Sequence, residues 1–264
     1  MSLQTIRSLL LAASALLLSS VAGGQSVAEQ IARGDREQET FNPAAALLQY
    51  EAALAADPQN GEALGKASRS AVDIGERTAD PRERTALFRK GEQYARRAVE
   101  ASPNDPDAHF HLARALGRNA LTLGVRDRVK YATEIRAQAL EALRLDPNHP
   151  GALHVLGVWN AEIMRLNGFE RFFAKNVLGG KVFGQANWKD AVAFMERAVA
   201  VDPDRLTHRL DLGKIYADIG EKAKAREQFE LVIRGRHTDF NDPLYKQEAD
   251  AALRRLDGRS KEGG

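Results

Sequence analysis

The sequence predicts an all-α fold, a superhelix of paired antiparallel helices. Two observations carry this. Ala, Leu, Glu and Arg are abundant and only nine Pro occur in 264 residues, a composition that favours helix. Apolar helical runs also end, one after another, at Asp57-Pro58, Ser102-Pro103, Asp146-Pro147 and Asp202-Pro203. Pro disfavours the helical region in the residue before it. An Asn or Asp follows each of these prolines within two residues and is suited to cap the next helix. No run of alternating apolar residues indicates a sheet.

The first element in the chain stands apart from this pattern. Arg7 precedes a short apolar run from Ser8 to Gly24, and Ser20-Val21-Ala22 has the small-x-small form of a cleavage site. Residues 1–22 therefore read as a secretory signal peptide. The apolar core is shorter than the ~20 residues that cross a bilayer, although no charge follows until Glu29. An uncleaved membrane anchor is the alternative. Export into a periplasm is the expectation, and the absence of Cys excludes disulfides and a lipid-modified cysteine.

The helical repeat domain is expected over 26–256, with a disordered tail over 257–264. Its last unit shows the repeat most plainly. Leu212, Gly213, Tyr216, Gly220, Ala225 and Phe229 stand at offsets 0, 1, 4, 8, 13 and 17, the tetratricopeptide pattern of two antiparallel helices in ~34 residues. The small Gly213 lets the second helix approach, Tyr216 and Phe229 fill the gap between helices, and Gly220 ends the first helix in a left-handed turn. Weaker copies precede it. Leu156-Gly157 pairs with Ala191, Met195 and Ala198. Leu112, Ala113 and Leu116 pair with Ile135, Ala139 and Ala142. Leu64, Ala67 and Ala71 pair with Gly91, Ala95 and Ala98, and Gly34 pairs with Ala46, Tyr50 and Ala53. Pro58, Pro103, Pro147 and Pro203 lie 45, 44 and 56 residues apart. The repeats are thus irregular and elongated, through longer helices or through insertions between paired helices. Leu244 to Leu256 reads as a closing helix, which such stacks need.

The longest spacing contains a distinctive stretch, Gly168 to Gly180. Asn167 with Glu170 resembles a capping box, and Gly179-Gly180 ends the segment. As a helix it places Phe169, Phe172, Phe173 and Val177 on one face and Arg171 and Lys175 opposite. A short amphipathic helix with a basic face can lie on a membrane or enter a partner's groove. The favoured expectation is that the Phe face packs back onto the stack. Phe169, Phe172, Phe173 and Lys175 are the candidate membrane or partner contacts.

Three segments resemble the regulator of microtubule dynamics family: His154 to Trp159, Phe169 to Lys175, and Trp188 to Pro203. Gly124 to Lys130, running on to Asp146-Pro147, is similar as well. The resemblance spans about Arg84 to Arg234 and includes the insert and both long spacings. It implies the tetratricopeptide fold and, more weakly, a groove for a peptide or an acidic lipid. Eukaryotic members of the family lie in the cytosol, on mitochondria or on the spindle, and one is linked to phospholipid binding and transfer. The export signal sets this chain apart as a bacterial, periplasmic relative. A microtubule-associated role would require a cytosolic chain.

In a tetratricopeptide stack the first helix of each pair lines the concave side. The positions matching Lys214 in earlier units are Val158, Arg114 and Arg69, so three of the four are basic. Arg118 lies one turn beyond Arg114, and Phe110 and His154 occupy the neighbouring row. Arg grips carboxylate or phosphate through paired hydrogen bonds. Arg69, Phe110, Arg114, Arg118, His154 and Lys214 are therefore the candidate groove residues, for a peptide or protein partner of acidic character or an anionic lipid. The alternative is solvated Arg paired with neighbouring acids. The 38 basic and 36 acidic residues nearly cancel, which gives no concentrated basic surface for nucleic acid. No His-Glu-x-x-His and no Gly-x-Ser-x-Gly occurs, and Val182 after Gly179-Gly180-Lys181 lacks the hydroxyl of a phosphate loop. A non-catalytic binding scaffold without cofactor or metal is the expectation.

Overall fold

The computed structural model describes residues 27–167, 172 and 181–258. The expected signal peptide (1–22) lies outside these residues, as do 259–264 of the expected tail and Phe169, Phe173 and Lys175 of the insert. Helices follow in pairs: α1 (27–39) with α2 (Pro43–Ala56), α3 (Gly61–Arg77) with α4 (Pro81–Ala101), α5 (Pro106–Ala120) with α6 (Val125–Leu145), α7 (Pro150–Arg165) with α8 (Trp188–Val201), and α9 (Leu206–Asp218) with α10 (Lys222–Arg234). α11 (Asp242–Leu256) closes the stack. Among the described residues there is no strand.

The Asp-Pro turns work as expected. The backbone N–H of Asp57 closes the end of α2 on Ala53, and its carboxylate accepts from the Gln59 amide. Asn60 then caps α3 and Asp105 caps α5. The two later turns differ. After Pro147 the cap is His149, whose Nδ1 accepts from the Ala152 amide, and not Asn148. After Pro203 the N-cap is Arg205, with no side-chain cap. Asn148 and Asp204 each come one residue too early to reach the orphan amides of the first turn.

The repeat residues read from sequence are those that meet in space. Ala46, Ala53, Ala67, Ala98, Ala139, Ala142, Ala191, Ala198 and Ala225 are all fully buried, which brings helix axes close. A Cβ on Gly213 would come within 2.6 Å of the Phe229 ring. Gly220 takes φ +86° at the end of α9, the left-handed conformation that Gly adopts at no steric cost. The first helices stack in order, α3 on α5, α5 on α7 and α7 on α9. They form the inner wall of the superhelix.

Both sources of the long spacings are present. α4 and α6 each run 21 residues. Residues 166–187 separate α7 from α8 and end in a 3-10 turn, Lys181–Gln185. In that turn Phe183 is buried against the edge of Trp159, and the Trp159 indole N–H donates to the Ala132 carbonyl at 2.7 Å. The 3-10 turn after the insert thus braces the stack through Phe183. Phe172 is 62% exposed, so the expectation that the Phe face packs back fails at this ring. Buried Phe183 holds the position against the stack. Asp257 and Gly258, expected in the tail, belong to the end of α11. The Asp257 N–H caps the helix on Leu253, and its carboxylate accepts from Arg226.

Candidate functional site

Arg69, Arg114, Arg118 and Lys214 each meet acid partners, several of which spacing along the chain did not reveal. Arg114 on α5 projects between two acids of α3. Its Nη2 lies 2.6 Å from Asp73 Oδ1 and 2.8 Å from Glu76 Oε1. Arg118, one turn on, donates through Nε to Glu76 at 2.9 Å. Arg69 approaches Asp73 at 3.6 Å and Asp239 at 3.3 Å, and Arg205 reaches the same Asp239 oxygen at 2.8 Å. Four guanidinium groups therefore face three carboxylates. The Asp73 side chain is 0% exposed and that of Asp239 1%. Arg118 uses only Nε on its acid partner and remains 36% exposed.

The electrostatics follow from this crowding. Burial raises the Asp73 carboxyl above its ordinary value, although Arg114 and Arg69 oppose the shift. Burial also acts against ionised Glu76, but Arg118 and Arg114 outweigh it and hold that carboxyl low. Asp239 is likewise held low, since Arg205 and the Asn241 amide overcome its burial. Buried His111 is pushed down to about 3 by desolvation, with Arg114 and Arg69 nearby adding to the shift.

His154 and Lys214 lie further along the wall and share Asp211, at 2.9 Å and 3.0 Å. Lys214 also reaches Glu248 of α11 at 2.8 Å. His154 Nδ1 faces His208 Nδ1 at 3.1 Å. His208 is pushed down to about 2, first by burial and then by His154 and Arg205. His208 is therefore neutral, the two rings share one hydrogen bond between their Nδ1 atoms, and His154 Nε2 faces Asp211. Phe110 does not join this wall network. Its ring fills the space over Gly151, where a Cβ would come within 2.4 Å, and lies against His149. It is a joint between α5 and α7. Among the described residues no group of three His, Cys, Asp or Glu is placed to hold a metal.

The residues that sequence reasoning missed are Asp73, Glu76, Arg205, Asp239, Asn241 and Tyr245. Asp73 and Glu76 were open to discovery, since they follow Arg69 at the helical spacings that share a face. The others come from the far end of the chain. The segment between α10 and α11 folds back across the inner wall to α3. Asn241 donates to Glu76 at 2.9 Å and Tyr245 donates to it at 3.0 Å. Arg77 donates to the Phe240 carbonyl at 3.3 Å and lies 4.5 Å above its ring. Phe41, in the turn between α1 and α2, stacks on His237.

The family description for regulator of microtubule dynamics protein 1-3 matches residues 15–257. The chain belongs to this family. Relatives include regulator of microtubule dynamics protein 1 of Mus musculus, 24% identical over 181 residues, which are 68% of this chain and 57% of that protein. Regulator of microtubule dynamics protein 3 of Bos taurus is 22% identical over 188 residues, 71% of this chain and 40% of that protein. The chain thus spans about half the length of the relatives it matches. In three dimensions it is similar to a thermophilic TPR protein of Thermus thermophilus, with TM-score 0.58 and 18% identity over 85% of this chain and 99% of the other. It is also similar to PilF of Pseudomonas aeruginosa, with TM-score 0.54 and 14% identity over 90% and 95% of the two chains. These two likenesses establish the fold, a tetratricopeptide superhelix.

Proposed function

We propose that the protein is an exported, non-catalytic scaffold that holds an acidic segment of a partner protein against its inner wall. The observation that carries this reading is the cluster of four guanidinium groups around Asp73, Glu76 and Asp239, with Arg118 held through Nε alone and 36% exposed. Arg is suited to the task because its planar fork meets a carboxylate with two donors. Export is supported by Arg7, the apolar run after it and Ser20-Val21-Ala22. Expression of the full chain in a bacterial host, followed by mass measurement of the periplasmic product, tests this. Loss of residues 1–22 is expected, and full-length protein retained in the cytosol overturns it. A microtubule role, which the relatives' name carries, requires that second outcome.

Binding of a labelled hexaglutamate peptide to the purified chain tests the acidic-segment reading. Affinity should fall with added salt and should fall on the order of tenfold in Arg118→Glu, as for a lost charge-assisted contact. Equal binding by the variant removes the wall from consideration. A second reading, contact with anionic lipid, is favoured by one observation: Phe172 is 62% exposed in a stretch that also carries Arg171 and Lys175. Flotation with phosphatidylglycerol vesicles should then be lost in Phe172→Ser/Phe173→Ser. No flotation of the wild type excludes this reading.

A further inference from the structure

We propose that residues 236–242 are an internal ligand of the inner wall, a clasp that an acidic-aromatic segment of a partner must displace; this rests on the acidic-segment reading above. Three consecutive residues of the clasp engage α3, each by a different chemistry. Asp239 presents its carboxylate to Arg69 and Arg205. Phe240 offers its carbonyl and its ring face to Arg77. Asn241 donates its amide to Glu76. Asp239 and Arg69 are 170 residues apart in sequence, so this end-to-end contact closes the superhelix on itself. The clasp therefore sits where a partner's acidic segment would sit, and its order of side chains, acid then aromatic then amide, states what the wall recognises.

The seam is built to open more readily than the rest of the stack. The apolar clusters run along neighbouring helix pairs: one joins α7 to α11, one joins α1 to α5, one joins α3 to α7 and the 3-10 turn, and a small one lies between α5, α6 and α7. Among the described residues none links α1–α3 to 236–245. The seam is made of ion pairs, amide and hydroxyl hydrogen bonds and the Phe41–His237 stack. Parting it exposes little of the apolar surface that dominates folding stability. The clasp is also imperfectly satisfied, because Asn241 Oδ1 and Asp242 Oδ1 are buried without a hydrogen-bond partner, a condition that native interiors rarely tolerate. Release of the clasp gives both oxygens to water, which favours the open form.

The decisive experiment uses the full chain and a labelled peptide that copies the clasp, Thr-Asp-Phe-Asn-Asp. Its affinity is measured for the wild type, for Asp239→Asn and for Phe240→Ala, with folding checked by circular dichroism. If the clasp is closed in about nine molecules of ten, releasing it raises apparent affinity on the order of tenfold. Tighter binding by Asp239→Asn or Phe240→Ala, together with faster hydrogen exchange across 236–245 when peptide saturates the wild type, is expected. Phe240→Ala leaves Arg69, Arg77, Arg114, Arg118 and Arg205 intact and carries the test if Asp239→Asn does not fold. Peptide affinity equal to or weaker than wild type in the folded variants, while hexaglutamate still binds, overturns the clasp and leaves the acidic-segment reading standing. Failure of both peptides with every variant overturns both.

Discussion

Arg114→Met removes one guanidinium from between two carboxylates that scarcely touch solvent, Asp73 at 0% and Glu76 at 6% side-chain exposure. Methionine keeps the apolar stem and most of the volume, so the loss is chiefly of charge. Breaking a buried pair typically costs about 3–5 kcal/mol, because it strands a buried charge. Arg69 stays 3.6 Å from Asp73 and Arg118 stays 2.9 Å from Glu76, which places the expected loss near the lower end, at about 3 kcal/mol. Urea unfolding of wild type and variant at pH 7 measures it. A pH arm sharpens the test. Glu76 titrates below its ordinary value in the fold, so its stabilisation is present at neutral pH and fades as acid protonates it. Asp73 is already raised by burial, and without Arg114 it takes a proton more easily. Both effects shrink the deficit of the variant as pH falls. A loss below about 1 kcal/mol, the size of an exposed pair, or a deficit that grows on acidification, refutes the buried-network reasoning.

Three further outcomes follow from the same geometry. Gly213→Ala forces a methyl against Phe229 at 2.6 Å and should lower stability by about 1–3 kcal/mol; an unchanged melting temperature would show that the repeat does not need this close approach. Gly117→Ala, inside α5 with nothing within 4 Å of the added carbon, should instead raise stability by about 0.5–1 kcal/mol, and a loss would count against the helix environment described. His208 is held neutral, at about 2 against an ordinary 6.5. Stability is therefore complete above pH 6.5 and falls as the unfolded chain takes the proton that the fold refuses, about 2 kcal/mol by pH 5. His208→Gln should remove that part of the slope of stability against pH between 6.5 and 5, and an unaltered slope refutes it.

The repeat architecture was legible because its signals are local. Leu212, Gly213, Tyr216 and Phe229 announce α9 and α10 through spacing alone, and Asp57-Pro58-Gln59-Asn60 carries its own stop, turn and cap. The same local rules overreached at Asn148 and Asp204, where the cap fell one residue later and the side chain available was His149 or Arg205. The cationic row Arg69, Arg114, Lys214 was equally legible, since equivalent positions in a repeat face the same way. Its counterions were harder. Asp73 and Glu76 required asking what else shares a face with Arg69, and Asp239 carried no signal at all.

The sequence by itself determined the helices, their pairing and which face of each looks inward. These depend on periodicity, capping and small residues at contact points, all of which act within one repeat. Only the tertiary structure decided that the inner wall is closed upon itself, with Asp239 between Arg69 and Arg205 and Asn241 upon Glu76. It also decided that Phe183 is buried while Phe172 is exposed. The physical reason is accumulation: each helix pair adds a small rotation to the superhelix. Whether its two ends meet depends on the sum of those rotations, a quantity that no single stretch of the chain encodes.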